Sequence, residues 1–471
     1  MTTINTNIES LIAQQALSKQ QASLNTSLQR LSTGLQINSA KDNPAGLIAV
    51  SNLQSQAAGM TQAISNAQQA ENMMGTADGA LGQVSSLLTQ LQSLVSQSAS
   101  SGDLTSSQIA ANQQQVDSIL SSIDRIANST TFNGKNLLNG QLAYVTSGVA
   151  GADLSAVQVN QAQVSTGSPQ SVLVSVTAAA THGDLTYTGT TSGHVTGPAT
   201  IQMTGAQGAS TNINITSGET VAQVQTAVNA QTGTTGVSAS VASNVLTLTA
   251  TGLGSSGFVS VQPISGTFAT NLLSAHGADA TVTVNGQAAD VSGLSINYHN
   301  SALDLSANLT AAFAGAIGTT TFDITGGGAN FLIGPEVSLS NIASVGINSV
   351  TTSSLGNSVD GYLASLGSGQ ANSLGGNLTQ AQTIINDAIN QVSTLRGNLG
   401  AFESYTVDPT VNALQVALEN NSSAQSAIED TNFAAETSNL TRAQILVQAG
   451  TSVLAMANSQ PQSVLSLLKG A

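Results

Sequence analysis

Between Leu378 and Phe402 the apolar residues fall at Leu378, Ala381, Ile385, Ala388, Val392, Leu395, Leu399 and Phe402, alternating steps of three and four without a miss. That period belongs to an α-helix whose single apolar seam must be covered by another helix running along it. A strand would throw half of these residues to the opposite face. No other feature constrains the fold as tightly, and the pattern recurs wherever the chain nears its ends. Val50, Leu53, Ala57, Met60, Ile64 and Ala67 keep it, and Leu81, Val84, Leu88, Leu91 and Val95 resume it, which reads as one long helix loosened near Gly75, Gly79 and Gly82.

A break is expected at Ser101-Gly102-Asp103. Thr105-Ser-Ser-Gln108 then has the form of a capping box, and Ile109, Val116, Ile119, Ile123 and Ile126 give a second helix, antiparallel because the connection is short. Asp408-Pro409 is expected to break or kink the helix begun at Leu378, with a restart through Val411, Leu414 and Leu418. Outermost lie Leu24, Leu28, Leu31, Leu35 and Leu440, Ala443, Val447, Gly450, Leu454. So many seams with so few flanking charges cannot all be covered inside one monomer.

The centre changes period. Ala199–Thr204, Asn212–Thr216, Val237–Val241 and Val245–Ala250 alternate apolar with Thr, Ser, Asn or Gln, and glycine turns separate them. Between the second and third, Val221, Val224, Ala227 and Val228 mark a short helix behind Ser217 as its expected cap. Further strands are expected at Val172–Val176, Val282–Val284 and Thr321–Ile324. The fold class is therefore α+β, with long helices from both termini and a β-rich insertion. Charge divides the chain in the same way: every Lys and Arg lies in the first 135 or last 76 residues, and all four histidines lie between.

Composition excludes several functions. Charged residues make up 7% of the 471, against about 25% in an ordinary domain, and the net charge is −15. Nucleic-acid binding needs clustered cations, which are missing, and no apolar run approaches a membrane span. The absence of cysteine excludes disulfides and thiolate chemistry. The first 18 residues lack the basic and apolar segments of a secretory leader, so the chain is expected to be cytoplasmic or to leave by another route. His182, His194, His276 and His299 have no ligand spacing, and no calcium loop occurs, so no metal or cofactor is expected. Gly326-Gly-Gly328 reads as a turn, since no Lys-Ser/Thr follows to complete a phosphate cradle. No nucleophile elbow is visible in residues 171–330, so no enzymatic activity is expected.

Two long stretches resemble a known family. Leu28-Gln-Arg-Leu-Ser-Thr-Gly-Leu-Gln-Ile-Asn-Ser-Ala-Lys-Asp-Asn-Pro-Ala-Gly-Leu47 resembles the N-terminal box of bacterial flagellins. Ile428 to Leu446 resembles their C-terminal box, continuing through Gln448–Ala455 to Pro461–Leu468. Thr131-Phe-Asn-Gly134 and Arg396–Phe402 are family-like islands, and residues 199–262 resemble a small repeat module inserted in some flagellins and hook-associated proteins.

The resemblance implies a subunit of the flagellar filament. Residues 1–40 and 430–471 would be inner-core helices, 41–170 and 331–429 the outer wall, and 171–330 an exposed outer domain. Leu24, Leu28, Leu31, Leu35, Leu440, Val447 and Leu454 would form the polymerisation core. Arg30, Asp42, Arg396 and Arg442 are candidate inter-subunit charge contacts, although isolated charges also serve simply as solvated groups. Implied partners are further copies of the chain, an export chaperone on the C-terminal helix, and the filament cap and hook-associated proteins. Export would proceed unfolded through the flagellar type III apparatus to an extracellular filament. Flagellins sensed by the flagellin-recognising Toll-like receptor present a basic residue, a leucine and an acidic residue where this chain has Gln90, Leu94 and Gln115, so receptor recognition is expected to be weak or absent. A hook-filament junction protein is the alternative, and a secreted enzyme on flagellin-like ends a third reading. The full C-terminal box favours the filament subunit.

Overall fold

The computed structural model describes residues 7–99, 105–164, 168–208, 210–300, 302–357 and 360–469, with side chains described to residue 460. The expected break at Ser101-Gly102-Asp103 and the side chains of Leu465-Ser-Leu-Leu468 lie outside the described residues. The helices are α1 (Ile8–Thr33), α2 (Pro44–Ala99), α3 (Ser106–Ser129), α4 (Val221–Asn229), α5 (Thr232–Thr235), α6 (Ala311–Ala314), α7 (Leu378–Phe402), α8 (Asp408–Glu429) and α9 (Phe433–Lys469). The chain divides into two compact units, one of residues 1–67, 333–337 and 409–471, the other of 68–332 and 338–408.

In the first unit α1 and α9 pair antiparallel. Asn7 caps α1 by accepting the Ser10 N–H at 3.0 Å, and Gly34 ends it in the left-handed region at φ 76°. Beyond that turn the Gln36 N–H donates to the Glu429 carbonyl at 2.6 Å and the Thr431 N–H to that of Gly34 at 2.8 Å. Helix α2 opens with Pro at its first position, where no N–H is needed, behind Asn43, whose side chain accepts the Gly46 N–H at 2.9 Å. The helix then runs for 56 residues, so Gly75, Gly79 and Gly82 do not interrupt it.

In the second unit the seams are buried as their spacing requires. The inward face of α7 comprises Ala381, Ile384, Ile385, Ala388, Val392, Leu395, Leu399 and Phe402, and that of α3 includes Val116, Leu120 and Ile123. Both halves of the Thr105–Gln108 capping box are present. Of the break or kink expected at Asp408-Pro409, the break does not occur. Instead Glu403–Val407 forms a π-helical turn in which the Asp408 N–H reaches back to the Glu403 carbonyl, and α8 follows directly. The wider turn accommodates a proline that would otherwise oppose the preceding helix, while burial of Phe402 and Val407 holds the segment helical.

The centre of this unit forms two β bodies, and every recorded strand pairing among the described residues is antiparallel. One places the five-stranded sheet containing Gln170–Ala178 and Gly318–Gly327 against the four-stranded sheet containing Leu154–Ala162 and Leu303–Leu309. Their shared core contains Phe322, Tyr144 and Tyr298 with Val172, Val174 and Leu305. The other body covers Asp184–His276. Its strands divide between two sheets, with Ala199–Gly205 in the four-stranded sheet and Val245–Ala250 in the three-stranded sheet. Helix α4 buries Val221, Val224 and Val228 in the common core, where Tyr187 stacks on Phe268 at 4.0 Å between ring centroids. Its cap is Thr220, in a capping box with Gln223, and not Ser217. Gly326-Gly-Gly328 is a bulged strand end as well as a bend. At Gly327, φ 93°, an added Cβ would stand 2.2 Å from the Ala143 carbonyl oxygen.

Candidate assembly interface

The α1/α9 pair is built on small residues. Ala13, Ser27, Ala443 and Ala457 are buried along it, and a Cβ on Gly450 would meet Leu17 at 3.3 Å. Small side chains let the helices approach closely but remove little apolar surface from water. Polar contacts fix the register: the Asn7 amide donates to the Ala457 carbonyl at 2.7 Å, and the Ser10 hydroxyl to Asn458 Oδ1 at 2.7 Å.

Leu24 and Leu31 on α1 and Leu440, Val447 and Leu454 on α9 are half-buried, and Leu28 is 47% exposed; Leu35, expected on the same seam, lies past the Gly34 cap, half-buried in a bridge to Asp430. The larger apolar surface lies on residues that the heptad spacing leaves out. Ile8, Leu11 and Ile12 on α1, and Ile445, Leu446, Val453 and Met456 on α9, are exposed, with Ile12, Ile445 and Met456 each at 62%. The signal was present in the runs Leu11-Ile12 and Ile445-Leu446-Val447. Neighbouring helical residues point about 100° apart, so such runs cannot all face one partner.

Of the four candidate charge contacts, three have partners within the subunit. Arg30 lies 3.7 Å from Glu436, which is buried, while the Arg30 Nε is itself buried without a hydrogen-bond partner. Asp42 Oδ2 accepts the Ser39 hydroxyl and N–H at 2.9 Å each and the Asn38 N–H at 3.1 Å. These bonds, the Ser39 hydroxyl foremost, hold its carboxyl below the usual range and tie the turn ahead of α2. Arg396 grips Asp78 with both arms, Nε to Oδ1 at 2.7 Å and NH2 to Oδ2 at 3.3 Å, joining α7 to α2. The bond to Asp78 raises the guanidinium still further. Arg442 is exposed, and with Arg30, Glu436 and Asn439 it lines an open groove of about 430 Å³ along the pair. Gln90 and Gln115 are exposed on α2 and α3, and Leu94 is half-buried. The sites thus fall into two sets: Leu24, Leu28, Leu31, Arg30, Leu440, Arg442, Val447 and Leu454 lie along α1 and α9, with Leu35 and Asp42 in the connection that follows α1, and Arg396, Gln90, Leu94 and Gln115 lie on the helices of the second unit.

No group of three or more metal-ligating His, Cys, Asp or Glu residues occurs among the described residues, and no described helix is long and apolar enough to cross a membrane.

Comparison with known proteins gives these surfaces their context. The bacterial flagellin N-terminal helical region matches residues 4–143, the C-terminal helical region 382–468, and the flagellin hook IN motif 200–252. Flagellin of Salmonella typhimurium is 31% identical over 99% of both chains, and B-type flagellin of Pseudomonas aeruginosa is 31% identical over the same shares. The solved hook-associated protein 3 of Legionella pneumophila is similar over 83% of this chain and 99% of its own, at 12% identity and a TM-score of 0.26, too distant to bear on the fold. The chain belongs to the bacterial flagellin family, the structural subunits of the extracellular flagellar filament.

Proposed function

We propose that residues 1–40 and 430–471, which include the α1/α9 pair, are the inner core through which subunits polymerise. Residues 41–170 and 331–429 make the outer wall, and 171–330 the exposed outer domain. The observation that carries this reading is the apolar surface left open on both helices, from Ile8 and Ile12 to Ile445 and Met456. In a soluble monomer such a surface is a liability, whereas a head-to-tail polymer covers it with the unlike surface of the next copy. In this reading Arg442, exposed on the groove along the helices, and Arg30, beside Glu436 on the same groove, meet that copy.

The same reading has the chain exported unfolded through the flagellar type III apparatus, held beforehand by a chaperone on α9, and assembled with cap and hook-associated proteins. A cysteine-free chain that leaves its terminal helices incompletely packed suits this route. The role is structural, without catalysis. Electron microscopy of the purified subunit after addition of short filament seeds tests the proposal. Long filaments are expected from the full chain and none from a chain lacking residues 430–471, and filaments from the truncated chain would overturn it. Receptor recognition is weak in this reading, because Gln90 and Gln115 carry no charge. A reporter-cell response equal to that of a strongly stimulating flagellin would contradict it.

A further inference from the structure

Within the second unit, the sheet containing Leu154–Ala162 and Leu303–Leu309 leaves an open groove of about 370 Å³ against α7. A further space of about 170 Å³ shares Asn160 and Asn398 with it and is bordered by Tyr405. Amides dominate the walls: Gln158 and Asn160 come from the strand, and Asn390, Gln391 and Asn398 from the helix. Along the helix axis, Asp387 and Tyr405 stand about 27 Å apart.

Three features suit this groove to a ligand. The Asn398 Nδ2 is buried with no hydrogen-bond partner, a donor left unused by the fold. Asn160 is held in place: its Nδ2 donates to Asp304 Oδ1 at 3.0 Å, and Asp304 Oδ2 in turn lies 2.8 Å from His299 Nδ1. Tyr405, on the π-helical turn, is 83% exposed, an aromatic face that no internal packing accounts for. Charge narrows the ligand further. No Lys or Arg occurs between residues 136 and 395, Arg396 is engaged by Asp78, and the His299 ring on the groove wall is engaged by Asp304, so no free cation is left among the described residues of the groove to attract an anion. Burial, and then the Asp360 carboxylate, push the Asp387 carboxyl on its wall upward, toward a form that both donates and accepts.

We propose that this groove binds a neutral glycan chain, its hydroxyls bridging the amides of Asn160, Gln158 and Asn398 and one sugar ring lying on Tyr405. Side-chain amides offer a donor and an acceptor side by side, which matches the paired hydroxyls of a pyranose, and the ring's C–H face suits an aromatic platform. An apolar ligand would strand the amides, and an acidic glycan would meet the Asp304 carboxylate with no Lys or Arg to offset it.

Calorimetric titration of the full-length subunit with maltohexaose, cellohexaose and chitohexaose tests the proposal. At least one should bind. Tyr405→Ala and Asn398→Leu should each weaken that binding tenfold or more, while Tyr405→Phe, which keeps the ring, should retain it. Melting temperature and circular dichroism of each variant distinguish a lost site from a lost fold. The proposal is overturned if none of the three sugars binds, or if binding is unchanged in folded Tyr405→Ala and Asn398→Leu. It is overturned equally if a neutral hydrophilic peptide binds there and no sugar does. The free subunit is tested, so failure of filament assembly would leave the result standing.

Discussion

At the scale of single residues, two glycines of α2 have opposite reasons for being glycine. A Cβ on Gly59 would stand 2.6 Å from the Pro335 carbonyl oxygen, whereas one on Gly79 would meet nothing within 4 Å. Gly79→Ala should therefore stabilise the subunit by about 0.5–1 kcal/mol through helix propensity. Gly59→Ala should destabilise it by about 1–3 kcal/mol through forced displacement. Thermal melting of the two variants checks both signs. Acid behaviour is also set by single groups. Burial opposes ionisation of Asp279, but the Ser255 N–H at 2.6 Å, the Ser255 hydroxyl and the Gly293 N–H at 2.9 Å outweigh it and hold the carboxyl below its ordinary range. The folded group thus titrates below the unfolded value of about 3.9. Its contribution is complete above that pH and is lost as pH falls through the lower folded value. Asp279→Asn should lower the melting temperature at pH 7 and remove that part of the acid dependence. Glu71 has the opposite sign, raised by burial and then by Asp408 and Glu403. Glu71→Gln should raise the melting temperature at neutral pH, with the gain gone below about pH 4, where the carboxyl is protonated both folded and unfolded.

At the scale of elements, local rules decide where helices begin. Thr105 and Gln108 exchange capping bonds at the start of α3, and Thr105→Ala should cost about 1 kcal/mol in a chemical denaturation experiment. Such signals were legible because they lie within single elements: the α3 capping box and the alternation in Ala199–Thr204 and Val245–Ala250 recur in the structure, and so does the α7 seam from Ala381 to Phe402, with Ile384 added and Leu378 only half-buried. Where the reading missed, partners distant in sequence decided the outcome. Pro409 carries a breaking signal, but burial of Phe402, Val407 and Leu414 keeps the helix going and turns the break into a π-turn. The one long helix expected around Gly75, Gly79 and Gly82 is present, with Met74, Ala77, Leu81 and Val84 buried between and beside them. The division of the strands in Asp184–His276 into two sheets depends on which edges meet, and alternation within a strand carries no such information. The amide groove is assembled from residues 158 to 398, so no local pattern announces it.

At the scale of the whole molecule, burial is unevenly shared. The β bodies and the α2–α3–α7 seams enclose their large side chains, with Phe322, Leu81, Leu88, Leu91 and Ile123 fully buried. Along α1 and α9 the buried side chains are mainly small, and Leu11, Ile12, Ile445 and Met456 face outward. An antiparallel helix pair with so little apolar surface removed from water is marginal by itself. If neighbouring subunits complete that core, as proposed above, terminal-helix stability is a property of the polymer. Amide hydrogen exchange, followed by mass spectrometry on free subunits and on assembled filaments, measures it directly. The α1 and α9 peptides should exchange orders of magnitude faster in the free subunit than in the filament, while α7 and the strands around Phe322 stay protected in both. Equal protection of α1 and α9 in the free and assembled states would show that the subunit completes its terminal core alone.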